Sequence, residues 1–232
     1  MKKTTRLKIY FVLLWIFIII SFSTLAIFIL YEANGYRFNR NTWRLELAGL
    51  ISIDGQPKSV TIKINNKVVS KTLPFKIAKA LPGTYLLSVS RDGYSAWSKT
   101  IEVTAGQAYQ DKYVYLYLIA PQIIPTSRNI TSDQIKSDAQ DESSSIQIIN
   151  DEIWYQKKLI TRFSSVPTGA ILTDDKDHII FQLGSELRVM DLDASNNVKL
   201  FNLPSADPLT FALYSDKIIY AYQDKISEVK IR

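Results

Sequence analysis

Ser59-Val60-Thr61-Ile62-Lys63-Ile64-Asn65-Asn66-Lys67-Val68-Val69 sets the reading of most of this chain. Val60, Ile62 and Ile64 alternate with Thr61 and Lys63, the period of a strand that buries one face and wets the other. Asn65-Asn66 then supplies two residues that tolerate positive φ, and Val68 opens a return strand, so the stretch predicts a β-hairpin. The rhythm continues outward. Pro82-Gly83 marks a turn, and Tyr85, Leu87 and Val89 line one face of a strand that stops at Arg91-Asp92-Gly93. Ile101 and Val103 extend the apolar pattern, and Thr104-Ala105-Gly106 turns the chain into Tyr113-Val114-Tyr115-Leu116-Tyr117-Leu118. There Val and Leu suit an interior while Tyr113, Tyr115 and Tyr117 face the other way, a row able to stack on sugar rings or to pack on a neighbouring element. Strands punctuated roughly every 8 to 12 residues predict a small β-sandwich over residues 49–119.

Several of these pieces resemble the PEGA family, small β-sandwich modules of bacterial and archaeal surface and envelope proteins. They are Pro57-Lys58-Ser59-Val60 leading into Ile64-Asn65-Asn66-Lys67, then Lys71-Thr72-Leu73-Pro74, Leu81-Pro82-Gly83-Thr84-Tyr85, and Arg91-Asp92-Gly93-Tyr94-Ser95-Ala96-Trp97. The departure is at Pro57 to Val60, where the family's Glu-Gly-Ala after the proline is replaced. Gly35-Tyr36-Arg37-Phe38, in the juxtamembrane segment 32–48, also looks like anchored members of that family. The resemblance implies an extracytoplasmic binding or spacer role and carries no catalytic residue with it.

Upstream, Ile9 to Tyr31 is a run of 23 residues without a charge, 16 of them Leu, Ile, Phe or Val. A helix of that length spans about 35 Å, enough to cross a ~30 Å hydrocarbon core with some tilt. The 16 large apolar side chains favour insertion by about 5 to 10 kcal/mol before backbone and polar terms are set against them. Thr24-Leu25-Ala26 offers a signal-peptide cleavage site, but a cut there would leave Ile27-Phe28-Ile29-Leu30 as an exposed apolar stub, so residues 9–31 read as a retained transmembrane helix. Lys2, Lys3, Arg6 and Lys8 concentrate positive charge in the tail 1–8, against Arg37 and Arg40 just beyond the helix. The tail is therefore expected in the cytoplasm and everything after the helix outside the membrane.

Those same four residues account for most of the net charge of +6; the remainder holds 24 basic against 22 acidic residues. No later basic run is interleaved with aromatics, and a nucleic-acid partner is not expected. Cysteine is absent, which excludes disulfides, thiolate nucleophiles and every cysteine-based metal site.

Downstream, residues 120–145 dissolve into Ser, Thr, Asp, Gln and Asn and read as a linker. Three charged turns then enter apolar strands at Asp151-Glu152-Ile153-Trp154-Tyr155, His178-Ile179-Ile180-Phe181 and Lys217-Ile218-Ile219-Tyr220. The span from Asp174 through Phe181 to Leu187-Arg188-Val189-Met190-Asp191-Leu192-Asp193 resembles the WD40-like repeats of TolB-type propellers. A closed propeller needs at least about four blades, and residues 146–232 hold at most two of full length, so partial propeller-like antiparallel sheets are the expectation. The expected fold class is thus an N-terminal transmembrane helix followed by all-β structure: a PEGA-like small β-sandwich plus partial β-propeller-like sheets.

Chemistry finds little footing. The single imidazole, His178, opens a strand beside acidic turns, and no Gly-x-Ser-x-Gly nucleophile elbow occurs. Asp174, Asp175 and Asp177, or Asp191, Asp193 and Asn196, offer oxygens for calcium, but without the glycine and closing glutamate of an EF-type loop they read as turns. No cofactor and no catalytic residue are expected. The leading functional expectation is a single-pass cell-membrane protein, cytoplasmic at its N-terminus, whose modules bind cell-wall polymer or an envelope protein. An envelope hydrolase working through paired carboxylates, and an accessory subunit of a membrane complex, are the alternatives.

Overall fold

The computed structural model describes residues 2–40, 42–126, 128–143, 145–223 and 225–232, excluding the side chains of 2–8 and 141–143. The side chains of Lys2, Lys3, Arg6 and Lys8, on which the expected orientation rests, therefore lie outside the described residues. Two compact units make up the chain: Met1–Ser52 with Lys76–Thr84 and Glu102–Gln110, and Ile53–Phe75 with Tyr85–Ile101 and Asp111–Arg232. Several strands of the first β module have one end in each.

In the first unit, helix α1 (Lys2–Ala33) contains the apolar stretch Ile9–Ala33, whose mean hydropathy is 2.8. None of its most apolar window is buried by protein. The helix stops where Asn34 N donates to Leu30 O (3.0 Å) and Gly35, at φ +87°, takes the left-handed conformation that turns the chain out of a helix. Lys79 Nζ donates to the Glu32 carbonyl (3.0 Å) and pairs with the Glu32 carboxylate (3.1 Å), placing a cation where the helix dipole favours one. Strands β1 (Tyr36–Asn39) and β2 (Arg44–Leu47) follow as an antiparallel hairpin.

The first β module comprises β3 (Gly49–Gln56), β4 (Ser59–Ile64), β5 (Lys67–Thr72), β6 (Phe75–Ala80), β7 (Gly83–Ser90), β8 (Trp97–Val103) and β9 (Ala108–Tyr115). They form a three-stranded sheet in the order β6-β3-β9 and a four-stranded sheet in the order β5-β4-β7-β8. The hairpin read from Val60 to Val68 is present: Ile64 opposes Lys67, and Asn65 and Asn66 sit at φ 48° and 66°, as a tight two-residue turn requires. Ile51 and Ile53 on β3, and Val60, Ile62 and Ile64 on β4, are buried on alternate positions, as are Leu87, Val89, Ile101 and Val103 further on. Each sheet thus has one apolar face, as the period-two pattern predicts. Gly55 permits the close approach of β3 to β9, since a Cβ there would lie 1.8 Å from the Val114 carbonyl oxygen.

The second unit also contains the remaining elements, and here the linker expectation is corrected. Within 120–145 lie a strand, β10 (Ile123–Pro125), and a helix, α2 (Ser132–Ser143). Thr131 and Gln134 form a reciprocal capping box: the Gln134 Oε1 accepts from Thr131 N (2.8 Å), and Thr131 Oγ1 accepts from Gln134 N (3.3 Å). After it come β11 (Ile146–Ile149), β12 (Glu152–Tyr155) and β13 (Lys158–Arg162) as one antiparallel sheet, then β14 (Pro167–Leu172), β15 (His178–Leu183), β16 (Glu186–Asp191) and β17 (Val198–Asn202) as a second. Strands β18 (Phe211–Tyr214), β19 (Lys217–Tyr222) and β20 (Lys225–Lys230) make the third, which β10 joins at the edge of β20.

These sheets stack through successive cores. Ile153 on the first packs with Ile179, Phe181 and Met190 on the second, and Ile180, Leu187 and Val189 on the second pack with Phe211, Ile218 and Tyr220 on the third. Ile135 of α2 packs with Ala212 and Ile219 on the remaining face of the third sheet. No propeller closes among the described residues, so the propeller-like expectation reduces to stacked antiparallel sheets capped by a helix.

If α2 is a core element and not a linker, deleting buried atoms from it must cost what core deletions cost. Ile135→Ala is expected to lower stability by about 2 to 4 kcal/mol, and Lys136→Ala by less than about 0.5 kcal/mol. Chemical denaturation of the two variants checks this; equal, small effects would return residues 120–145 to the status of a linker.

Candidate functional site

Within the second unit, the end of β9 meets the acidic turns around β15 and β16, and the polar residues singled out from the sequence converge there. The tyrosine row packs on neighbouring elements, one of the two readings that the sequence left open. Tyr117 is 4% exposed and belongs to the core shared by the second and third sheets. Tyr115, half-buried, lies with its ring 5.1 Å from that of His178, and the Tyr117 ring meets the same imidazole edge-on at 6.4 Å. Tyr113, half-buried, leans on Tyr115 at 6.3 Å. The guanidinium of Arg232 covers the Tyr115 ring at 4.2 Å from its centroid. The physical reason is the period-two alternation itself: the side of β9 opposite Val114 faces strand β15 and not water.

His178 is 2% exposed. Its Nδ1 lies 3.1 Å from Asp175 Oδ1 and its Nε2 3.6 Å from Asp191 Oδ1, so the imidazole is held between two carboxylates and two aromatic rings. Of the residues that sequence alone offered to calcium, Asp175 and Asp191 are engaged in these contacts. Asp175 Oδ1 also accepts from Thr173 Oγ1 (2.7 Å) and from Asp177 N (2.9 Å). Asp191 Oδ2 accepts from Trp97 Nε1 (3.2 Å) and from Asn196 Nδ2 (2.8 Å). Among the described residues, no group of three or more His, Cys, Asp or Glu stands ready to hold a metal ion.

Strand β8 completes the cluster. Besides the Trp97 contact, Ser98 N donates to Asn196 Oδ1 (2.9 Å), and Lys99 Nζ pairs with Asp193 Oδ2 (2.7 Å). Three consecutive residues of the first β module are therefore bonded to one turn, Asp191 to Asn196. Sequence reasoning missed Trp97, Lys99 and Arg232, because each partner lies roughly a hundred residues away and no local spacing encodes the pairing.

The ionisation behaviour follows this packing. Burial disfavours the Asp175 carboxylate, but hydrogen bonding and charge from His178, with the Asp177 amide and Thr173, outweigh it and hold its pKa below the ordinary carboxylate range. Asp177 moves the opposite way, pushed up by burial and by the charge of Asp175. Burial likewise opposes the charge on Lys99, and Asp193 more than compensates, so the ammonium is stabilised. Tyr115 and Tyr117 are both raised, chiefly by burial, and remain protonated phenols at neutral pH. The arrangement holds strands together; it presents its only imidazole to no solvent-filled space.

A second concavity of about 390 Å³ lies along α2, lined by Lys136, Gln140, Ile148, Gly169, Leu209 and Phe211 among others. It mixes apolar walls with a lysine and an amide and carries no cluster of titratable groups.

Residues 48–114 match the PEGA domain family, under a third of the chain. No curated protein matches the chain. Among solved structures the chain is similar to the crystal structure of the computationally designed Ika4 protein, at 14% identity over 77% of this chain and 94% of that one, with a TM-score of 0.27.

The opposite directions at Asp175 and Asp177 generate opposite outcomes. Because the folded-state pKa of Asp175 lies below its unfolded value of about 3.9, its stabilising share is present above that pH and is lost as pH falls through the folded value. For Asp177 the folded value is the higher one, so its charge costs stability at neutral pH and that cost vanishes in acid. Asp175→Asn is expected to lower the Tm at pH 7, and Asp177→Asn to leave it unchanged or raise it, with both differences closing below about pH 4. Thermal unfolding of the detergent-solubilised chain from pH 3 to 8 measures this; the same profile in both variants would refute the assignment.

Proposed function

We propose that this chain is a single-pass envelope protein whose α1 crosses the cell membrane with its N-terminus in the cytoplasm, and whose PEGA module and stacked sheets stand outside as a binding platform. The observation that carries this reading is the 25-residue stretch Ile9–Ala33, which leaves no protein to cover it: Phe17, Phe22 and Leu30 are each more than 60% exposed. Apolar surface of that extent is tolerated in hydrocarbon and not in water. The PEGA match at 48–114 supports an extracytoplasmic setting for the residues beyond the helix.

The tie between α1 and the first β module supports retention of the helix over cleavage. Glu32 near its end holds Lys79, and Arg37 just beyond it donates to the Lys79 carbonyl (3.1 Å), so the helix continues into the fold without a free spacer. A cut after Ala26 would strip away most of a helix whose last turn is built into the structure.

Binding in place of catalysis is favoured by the state of the one imidazole, closed in by Tyr115, Tyr117, Asp175 and Asp191. A partner drawn from cell-wall polymer or from another envelope protein suits a platform held at the membrane, where anchoring raises the local concentration of the binding module. Nucleic acid does not suit it, given near balance of charge beyond the first eight residues.

Membranes of cells expressing the full chain provide the test. The protein should resist alkaline carbonate extraction, protease added to protoplasts should remove the β modules, and N-terminal sequencing of the mature product should begin ahead of Ile27. Extraction into the carbonate supernatant, or a mature N-terminus at Ile27, would end the anchor reading.

A further inference from the structure

The β1–β2 hairpin of the first unit is amphipathic in a way the fold itself does not use. Its register opposes Tyr36 to Leu47 and Phe38 to Leu45, and directly opposed residues of an antiparallel pair project to the same face. One face is therefore Tyr36, Phe38, Leu45 and Leu47. The other carries Arg37, Asn39, Arg44 and Glu46, with Asn39 Nδ2 donating to a Glu46 carboxylate oxygen (2.9 Å). At the turn, Trp43 is 80% exposed and sets its ring edge-on to Phe38 at 5.8 Å. Phe38 and Leu45 are 45% and 42% exposed, so the half of the apolar face nearer the turn is uncovered by protein, while Tyr36 and Leu47 are half-buried.

What covers it is indicated by where it is tethered. The hairpin begins at Tyr36, three residues beyond the end of α1 at Ala33. Tyr31 of the helix and Tyr36 of the hairpin meet edge-to-face at 5.3 Å, and Ile27, Leu30, Tyr31, Asn34, Tyr36 and Leu47 line a single open groove. The apolar surface of the helix thus continues into the hairpin face. A segment so close to the end of a spanning helix is held at headgroup depth, where tryptophan and tyrosine rings are enriched and arginine can reach lipid phosphate.

Resting on the anchor reading above, we infer that the hairpin lays its Phe38–Leu45 face and Trp43 into the interfacial layer of the same bilayer, with lipid acyl chains filling the groove between α1 and Tyr36–Leu47. The occupant is lipid, not a second copy of the chain, because the uncovered face is continuous with a helix surface that already requires lipid and lies at the depth that helix dictates.

The absence of cysteine lets single positions be labelled without background. Trp43→Cys, Leu45→Cys, Arg44→Cys and Ser23→Cys of the full chain, each carrying the fluorophore NBD, are reconstituted in liposomes of phosphatidylcholine and phosphatidylglycerol. Emission is quenched either by spin-labelled lipid or by aqueous iodide. Positions 43 and 45 should be quenched more by lipid than by iodide by a factor of about three or more, and position 44 the reverse, with position 23 reached only from lipid. Iodide access at 43 and 45 equal to that at 44, with 23 still in lipid, overturns the hairpin inference and leaves the anchor standing. Iodide access at 23 overturns the anchor itself. Shielding of 43 and 45 from both quenchers identifies a protein contact and also overturns the proposal. Because Trp43 is so exposed, its variant reports even if Leu45→Cys fails to fold.

Discussion

Everything in the second unit turns on the end of one strand having two sides. Along β9 and just past it, Val114 and Leu116 are fully buried, with Val114 against Gly55 and Leu116 N bonded to the Gln56 carbonyl. Tyr115 and Tyr117, projecting the other way, pack on His178 and into the next core. A strand that alternates faces can serve two hydrophobic interiors at once, and a slip of one residue would exchange them. The exchange would put Val114 and Leu116 where the rings around His178 now pack, and tyrosines where fully buried aliphatic side chains now sit. The polar contacts of Trp97, Ser98 and Lys99 with the Asp191–Asn196 turn add a second attachment from β8, a strand of the other sheet.

The stacking beyond that strand follows the same economy. Strand β15 buries Ile179 and Phe181 toward one core and Ile180 toward another, so the second sheet is apolar on both faces. A sheet of this kind must be sandwiched. The third sheet likewise exposes an apolar face, Ala212 with Ile219, and α2 covers it with Ile135. A further sheet in that position would prolong the stack; the helix ends it, and no ring forms among the described residues.

Most of the first β module was legible in residues 49–119, because half-buried strands leave a period-two signature and Asn65-Asn66 can do little except turn. The charge-free run from Ile9 was equally plain. What stayed hidden was α2: with Ile135 as its one fully buried side chain among the described residues, a helix that docks by a narrow apolar stripe looks like a polar linker in composition. The Thr131-x-x-Gln134 spacing was the available signal, weak because such pairs are common. The tyrosines illustrate the limit of local reading more sharply. Alternation shows that Tyr115 and Tyr117 point away from Val114, but only the tertiary arrangement decides whether water or His178 waits on that side.

The edge pairing of β10 with β20 places Ile123 opposite Val229, and Leu118 N is bonded to the Ile231 carbonyl (2.8 Å). Contacts of such long sequence separation close late, since the intervening chain must first be collected into place. During synthesis, residues near 120 therefore wait unpaired until those near 230 have followed them, whereas the hairpin at Asn65-Asn66 needs only its own neighbours. The order of emergence lets the local hairpins of the first β module form early, while the pairing of β10 waits for β20.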